Sequence, residues 1–390
     1  MANQTQDARS PADAPAREHL AFLDGVRGFA ALWVFISHAL KFSGWTVPLL
    51  HRGDLAVDVF MIMSGFLMAY HYHLREAKEP WTAPSTWGVF YVRRFFRIAP
   101  LYYFALCLCL LLGPQLWSLR QQIGAVFPDA ATPPERYLDR SWTNILTHLT
   151  FVFGVTPRYA FSTPLPDWSI GLEMQFYLVF PFLMLCLRRC TPLWGVGLLA
   201  GLGWLITRLL PYGTFLVPSF LPLKIGLFLV GMLLASAHHC RNHRRSFSVY
   251  LVFLALLAAA TTRSWPVLGM CAGIVALLFY DRAEDPLRLT FLLRQCERVI
   301  AGRLASFMAD TSYSVYLVHV VLMTPVAAAL CRWPAYRQMP GAVRSLILIA
   351  LVLPPVYLVG WGLFQTVEKN GIRLGKTLIA AFPRRSSGPT

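Results

Sequence analysis

The stretch AFLDGVRGFAALWVFISHALKFSGW, residues 21–45, decides the fold. Its apolar run is long enough to cross a hydrocarbon core of roughly 30 Å as a helix. Similar runs recur down the chain, at roughly 55–73, 98–117, 168–187, 193–211, 218–237, 247–262, 264–280, 305–330 and 343–367. With the first stretch they predict an all-α polytopic membrane bundle of about ten transmembrane helices. The apolar stretch near 144–156 is too short to span and is expected to be re-entrant or interfacial.

Composition points the same way. Of the 390 residues, 56% are hydrophobic and only 14% charged. A soluble domain runs nearer about 25% charged, so a soluble fold would lack the polar surface to cover these runs. The net charge of +16 would suggest nucleic acid as the partner of a soluble protein. Here the basic residues sit in short loops between apolar runs, where Lys and Arg mark the cytoplasmic side. No nucleic-acid partner is expected.

With the N-terminus inside, about 23 Lys and Arg fall on the cytoplasmic side and about 12 outside or near it. Both termini are then cytoplasmic, and the chain is expected to be a multi-pass protein of the cell inner membrane. Residues 1–20 read as a polar tail, 21–367 as the membrane module and 368–390 as a basic tail. The main non-spanning segments are 74–97 and 281–304 inside and 118–167 outside. The outer one, rich in Pro and aromatic residues, is long enough to form a lid. The eight cysteines show neither disulfide nor metal-ligand spacing, so they read as packing residues and no metal is expected.

Ionisable side chains inside a membrane are costly, which makes them functional candidates. The first span carries Asp24, Arg27 and His38. Arg27 and His38 are three turns apart on one helical face, separated by about 16 Å along the axis. The bland readings are snorkelling for the arginine and a hydrogen-bonded core histidine. Their shared stripe favours function. Asp58 and the run Ser64-Gly65-Phe66 mark the second span, where the glycine alone would indicate close packing.

Before the third span, Arg93, Arg94 and Arg97 project toward one side. A positive-inside anchor does not require three arginines so close together. An anion held by bidentate contacts would relieve their repulsion. Ser169, Glu173 and Tyr177, following Trp168, form a polar face on the fourth span, with Glu173 at a depth His38 could reach. Ser312, Tyr316 and His319 form another stripe in the ninth span, beside Tyr313. The stripes together predict a polar cavity crossing much of the membrane.

From Leu23 to about Phe364 these segments resemble the bacterial membrane-bound acyltransferase-3 family. That family includes O-antigen and other polysaccharide O-acetylases and macrolide acylating enzymes. The likeness rests on Leu23-Asp24-Gly25-Val26-Arg27-Gly28 with His38, and on Asp58-Val59-Phe60 leading to Ser64-Gly65-Phe66. It continues through Arg93-Arg94-Phe95-Phe96-Arg97-Ile98 with Pro100, and Trp168-Ser169 with Glu173 and Gln175-Phe176-Tyr177. Tyr313-Ser314-Val315-Tyr316-Leu317 with His319 completes it. Five segments in order make a specific signal.

The resemblance implies transfer of an acyl group, usually acetyl from acetyl-CoA, to a hydroxyl of a sugar or glycan. It ties activity to His38, Arg27, Arg94 and Arg97. Two departures stand out. Met174 occupies the place of a second acid that the family often has, and the chain ends soon after the last span, where some relatives append a soluble domain.

Physical chemistry is compatible with this. The pyrophosphate and 3′-phosphate of CoA suit an arginine cluster of Arg27, Arg93, Arg94 and Arg97. The extended pantetheine arm could then carry the thioester to a deep imidazole. His38 is expected to act as general base, with Glu173 or Asp24 orienting it or the acceptor. A covalent acyl-histidine route stays open beside it. Ser64, Trp168, Ser169, Tyr177, Tyr313, Tyr316 and His319 are the expected cavity and acceptor residues. No permanently bound cofactor is expected; acyl-CoA, a carbohydrate acceptor and the bilayer are the expected partners. The competing reading is a transporter or flippase of a lipid-linked glycan, which would also need a polar path.

Overall fold

A computed structural model describes residues 14–189, 192–210, 213–240, 249–251, 253–255, 257–258, 264–279 and 288–381. Every regular element among these residues is helical. Helices α1 (Ala14–Phe42), α2 (Gly53–Arg75) and α3 (Pro84–Val126) come first. Two short helices follow, α4 (Glu135–Leu138) and α5 (Trp142–Leu149), then α6 (Trp168–Arg189), α7 (Pro192–Leu209), α8 (Ile225–His239) and α9 (Trp265–Phe279). The last third holds α10 (Arg288–Ile300), α11 (Arg303–Arg332), α12 (Pro334–Gln338), α13 (Gly341–Leu363) and α14 (Lys369–Ala380). A π-helical turn, Phe364–Glu368, joins α13 to α14.

Six helical stretches are long and apolar enough to cross a membrane: those of α1, α2, α3, α6 and α11, and the continuous stretch from α13 through α14. Apolar helices in α7, α8 and α9 are shorter. The expected span at 247–262 falls partly outside the described residues. The span expected at 218–237 becomes helical only from Ile225, after a single 3-10 turn at Leu221–Leu223. Pro218 and Pro222 account for this, since proline lacks an N–H donor and disfavours helix in the residue before it. Large apolar side chains such as Leu111, Trp194, Leu198, Trp265 and Leu346 stand exposed on the outer faces of the bundle, as lipid contact requires.

α1 sits between α2 and α11, and α11 also packs on α3 and α13. α2 and α8 approach closely. A Cβ on Gly65 would lie 2.1 Å from the carbonyl oxygen of Phe228, and one on Gly231 would lie 2.0 Å from that of Ile62. Only glycine permits backbones to meet at this distance. α3 is 43 residues long, about 65 Å of helix, roughly twice the thickness of a hydrocarbon core. Its first half carries the arginines, and α14 lies against it.

Within residues 368–390, read as a basic tail, Lys369–Ala380 is helical. Gly371 packs on Pro100 and Gly375 on Phe96, which holds α14 against α3. Of the segment 118–167, expected as an outer lid, the first part continues α3 to Val126 and the remainder is stitched down by buried polar contacts. Arg136 donates to the carbonyls of Thr163, Pro164 and Leu165. Buried Asp167 accepts from Thr163 Oγ1 at 2.7 Å and from the Tyr102 hydroxyl at 3.2 Å. On this cap α5 exposes Trp142, Leu146 and Leu149, and the following turn exposes Val152 and Val155. That is the apolar edge expected of an interfacial segment.

Candidate active site

Two cavities meet at Arg27. The larger, about 990 Å³, is a vestibule between the N-terminal part of α1, the C-terminal end of α2, the start of α3, and α14. Arg75, Arg93, Arg94, Arg97, Lys369 and Lys376 line it, with Asp24 and Asp310 as its acids. The smaller, about 60 Å³, lies deeper among Arg27, Phe60, Ser64, Ser169, Glu173 and Tyr316, with Ser312 and Tyr313 completing the wall. It has room for several water molecules.

The arginines predicted to act together do share the vestibule, but their side chains are engaged differently. Arg93 forks onto Glu79 with hydrogen bonds of 2.9 and 3.2 Å. The pairing holds the Glu79 carboxyl below its usual range. Arg97 lies 3.9 Å from Glu368. Arg27 lies 3.9 Å from Asp24, whose side chain is 62% exposed. Arg94 stacks over Tyr177 at 5.6 Å and Phe90 at 5.9 Å, and its buried Nε has no hydrogen-bond partner. Arg27 and Arg94 thus keep N–H groups uncommitted to a carboxylate at hydrogen-bond distance, and both face the vestibule.

Around the inner cavity the polar groups are fixed by one another. Glu173 accepts a short hydrogen bond from Tyr177 and a 3.4 Å one from Ser64. Tyr313 donates to the Ile98 carbonyl at 2.9 Å. The Tyr316 hydroxyl lies 2.7 Å from the Pro166 carbonyl and 2.6 Å from Ser169 Oγ. A carbonyl only accepts, so Tyr316 gives its one proton to Pro166 and receives that of Ser169. Trp168 packs against the apolar core and does not line this cavity.

The predicted imidazoles form a pair. His319 Nε2 lies 3.3 Å from His38 Nδ1, with ring centroids 5.0 Å apart and the planes at 64°. His38 Nδ1 is also 3.0 Å from the Val34 carbonyl, and His319 Nδ1 is 2.7 Å from that of Tyr316. His319 is fully buried, whereas His38 keeps an accessible edge. The pair adjoins the inner cavity through Tyr316, whose ring is 6.1 Å from that of His319.

Neither acid expected to orient His38 touches it. Asp24 pairs with Arg27 about 21 Å away along α1, and Glu173 is held by Tyr177 and Ser64. Sharing a helical stripe fixes a common direction but not a common depth. His319, expected as a cavity residue, is the side chain that reaches His38.

Sequence reasoning missed Glu368, Lys369 and Lys376, because the basic tail was taken to start there. Their signal was the seven-residue spacing of the two lysines, which is one face of a helix. Glu368 left only a weak one, a single acid at the end of the last apolar run.

A family model described as an acyltransferase domain matches residues 20–363. The Streptomyces mycarofaciens protein named Acyltransferase MdmB is 32% identical over 186 residues, 45% of this chain and 42% of that one. A Rhizobium radiobacter protein, Protein 2 in picA locus, is 40% identical over 91 residues, 23% of this chain and 44% of that one. The O-acetyltransferase OatA of Staphylococcus aureus is 27% identical over 172 residues, 43% of this chain and 25% of that one. The matched segments span less than half the length of these relatives. No solved structure matches. The chain belongs to the acyltransferase family that this domain defines, and its long apolar helices make it a multi-pass membrane protein.

Proposed function

We propose that the protein transfers an acyl group, acetyl in the first instance, from acyl-CoA to a hydroxyl of a carbohydrate or glycosylated acceptor. One observation carries this reading: a vestibule lined by arginines and lysines narrows, at Arg27, into a small polar cavity beside an imidazole pair. A large polyanionic head with a thin acyl-bearing arm is the kind of ligand that fits such a shape. Arg27, Arg94 and Arg97 would grip the phosphates as charge-assisted donors. Arg93, tied to Glu79, would contribute mainly field. The vestibule would face the cytoplasm of the cell inner membrane, where CoA thioesters are found.

In the proposed step His38 takes the proton of the acceptor hydroxyl as its oxygen bonds to the thioester carbon. The C–S bond then breaks and the CoA thiolate takes a proton back from His38. A positioned base of this kind contributes about 10²–10⁴-fold in rate. Glu173, Ser64 and Ser169 would orient the groups that enter the inner cavity. The OatA relative, named an O-acetyltransferase, supports the choice of an oxygen acceptor.

The test is acetyl-CoA binding and turnover by detergent-purified protein. Wild type is expected to bind and slowly consume acetyl-CoA. Arg94→Ala should lose binding, and His38→Ala should bind normally but lose turnover at least about a hundredfold. Wild type that neither binds nor consumes the thioester would overturn acyl-CoA as donor.

A further inference from the structure

Two carbonyl contacts determine where the protons lie on the imidazole pair. His319 Nδ1 is 2.7 Å from the Tyr316 carbonyl and 3.2 Å from that of Val315. Carbonyl oxygens only accept, so this nitrogen carries the hydrogen. In the neutral ring Nε2 is then bare, and it is Nε2 that faces His38 Nδ1 at 3.3 Å. His38 Nδ1 in turn lies 3.0 Å from the Val34 carbonyl, so it too carries the hydrogen and shares it between Val34 and His319. The lone pair of neutral His38 is therefore left on Nε2. Among the described residues no carboxylate is hydrogen-bonded to either ring.

We infer that His319 is a positioning residue: as a neutral acceptor it joins the Val34 carbonyl in holding His38 in the Nδ1–H tautomer and directs the bare Nε2 to the acceptor hydroxyl. It stands where a carboxylate orients many catalytic histidines. The inference rests on the proposed acyl transfer with His38 as base, and it supplies the group that orients that base. During the step, the hydroxyl proton moves to His38 Nε2. The Nδ1–H···Nε2 bond to His319 then becomes a charge-assisted one, which stabilises the imidazolium until Nε2 returns its proton to the departing thiolate. His319 is suited to this because its only hydrogen is committed to the Tyr316 and Val315 carbonyls, so it has none to turn toward His38.

The experiment is ¹⁵N NMR of protein labelled at the histidine nitrogens, with the His38 and His319 signals identified by their loss in His38→Gln and His319→Gln. Both rings of wild type should show a protonated Nδ1 and a bare Nε2 at neutral pH. In His319→Leu only the Val34 carbonyl still holds the Nδ1 hydrogen, so the His38 Nδ1 signal should shift and some Nε2–H tautomer should appear. In His319→Gln, whose amide oxygen replaces the acceptor, the His38 tautomer should stay single.

Acetyl-CoA turnover is followed in parallel. His319→Leu should lower kcat about tenfold with KM little changed, the worth of one orienting hydrogen bond, and His319→Gln should recover much of it. A proton on Nε2 of either wild-type ring overturns the inference, as does a His38 signal that ignores both substitutions. Should His319→Leu fail to fold, the wild-type tautomers and the Gln variant still decide. Absence of turnover in wild type would refute the acyl-CoA reading and leave the tautomer result standing on its own.

Discussion

Glu368 accepts from Ser314 at 3.1 Å with one carboxylate oxygen, and its other oxygen, 3.9 Å from Arg97, has no hydrogen-bond partner. It is 1% exposed and sits in the π-helical turn, an irregularity frequent at functional sites. As the buried counter-ion of a vestibule arginine it competes with any anionic ligand for that guanidinium. Glu368→Gln keeps the size and the Ser314 contact and removes the charge. CoA should then bind about two- to fivefold more tightly by titration calorimetry, equivalent to roughly 0.5–1 kcal/mol for a partly exposed pair. Weaker binding would mean that Glu368 instead holds Arg97 in its binding pose. At this scale the sequence singled out Arg27, Arg94 and Glu173, which line the two cavities, and His38, which pairs with His319. It could not mark Glu368, because one acid beyond an apolar run looks the same whether it points to water or into the bundle.

Between elements, glycine sets the spacing. Gly65 and Gly231 bring α2 and α8 into backbone contact, so Gly231→Ala must push them apart. The expected loss is about 1–3 kcal/mol, seen as a lower melting temperature in detergent. Gly375→Ala is milder, its Cβ meeting Phe96 Cβ at 2.8 Å, and acts on α14 and so on the vestibule wall. It should weaken CoA binding more than it lowers the melting temperature.

The Arg93–Glu79 fork ties the α2–α3 connection to the start of α3. Because the Glu79 carboxyl is held below its usual range, the fork's contribution is present above that range and is lost as pH falls through the lowered value. Hydrogen exchange across residues 76–83 should therefore be faster in Glu79→Gln than in wild type at neutral pH. The two proteins should converge in acid. Identical exchange at neutral pH would remove the clasp. The existence of these helices was legible from apolar length, whereas Pro218 and Pro222 delayed α8 in a way that hydropathy averages over.

Across the whole molecule, the basic lining of the vestibule accounts for part of a net charge of +16 that topology alone would explain. Binding of CoA should weaken as salt rises, since vestibule cations are reached by counter-ions. The proposed orientation predicts that Lys78→Cys, in the α2–α3 connection, is shielded from an impermeant thiol reagent in right-side-out vesicles. Asp129→Cys, on the opposite cap, should react. Both are to be made in a background without native cysteines. The reverse pattern would place the vestibule outside and refute a cytoplasmic donor.

The sequence by itself determined that the chain lives in a membrane, because a hydrocarbon layer demands apolar helices of fixed length and leaves no other use for such runs. It also determined which polar residues are costly enough to need a reason. Tertiary structure alone decided the depth at which they meet. A helical repeat gives the direction of a side chain about its own axis, but the offset between two helices comes from packing. Gly28 against Met308 and Ala309 sets α1 against α11, and that register places His38 beside His319 rather than beside an acid.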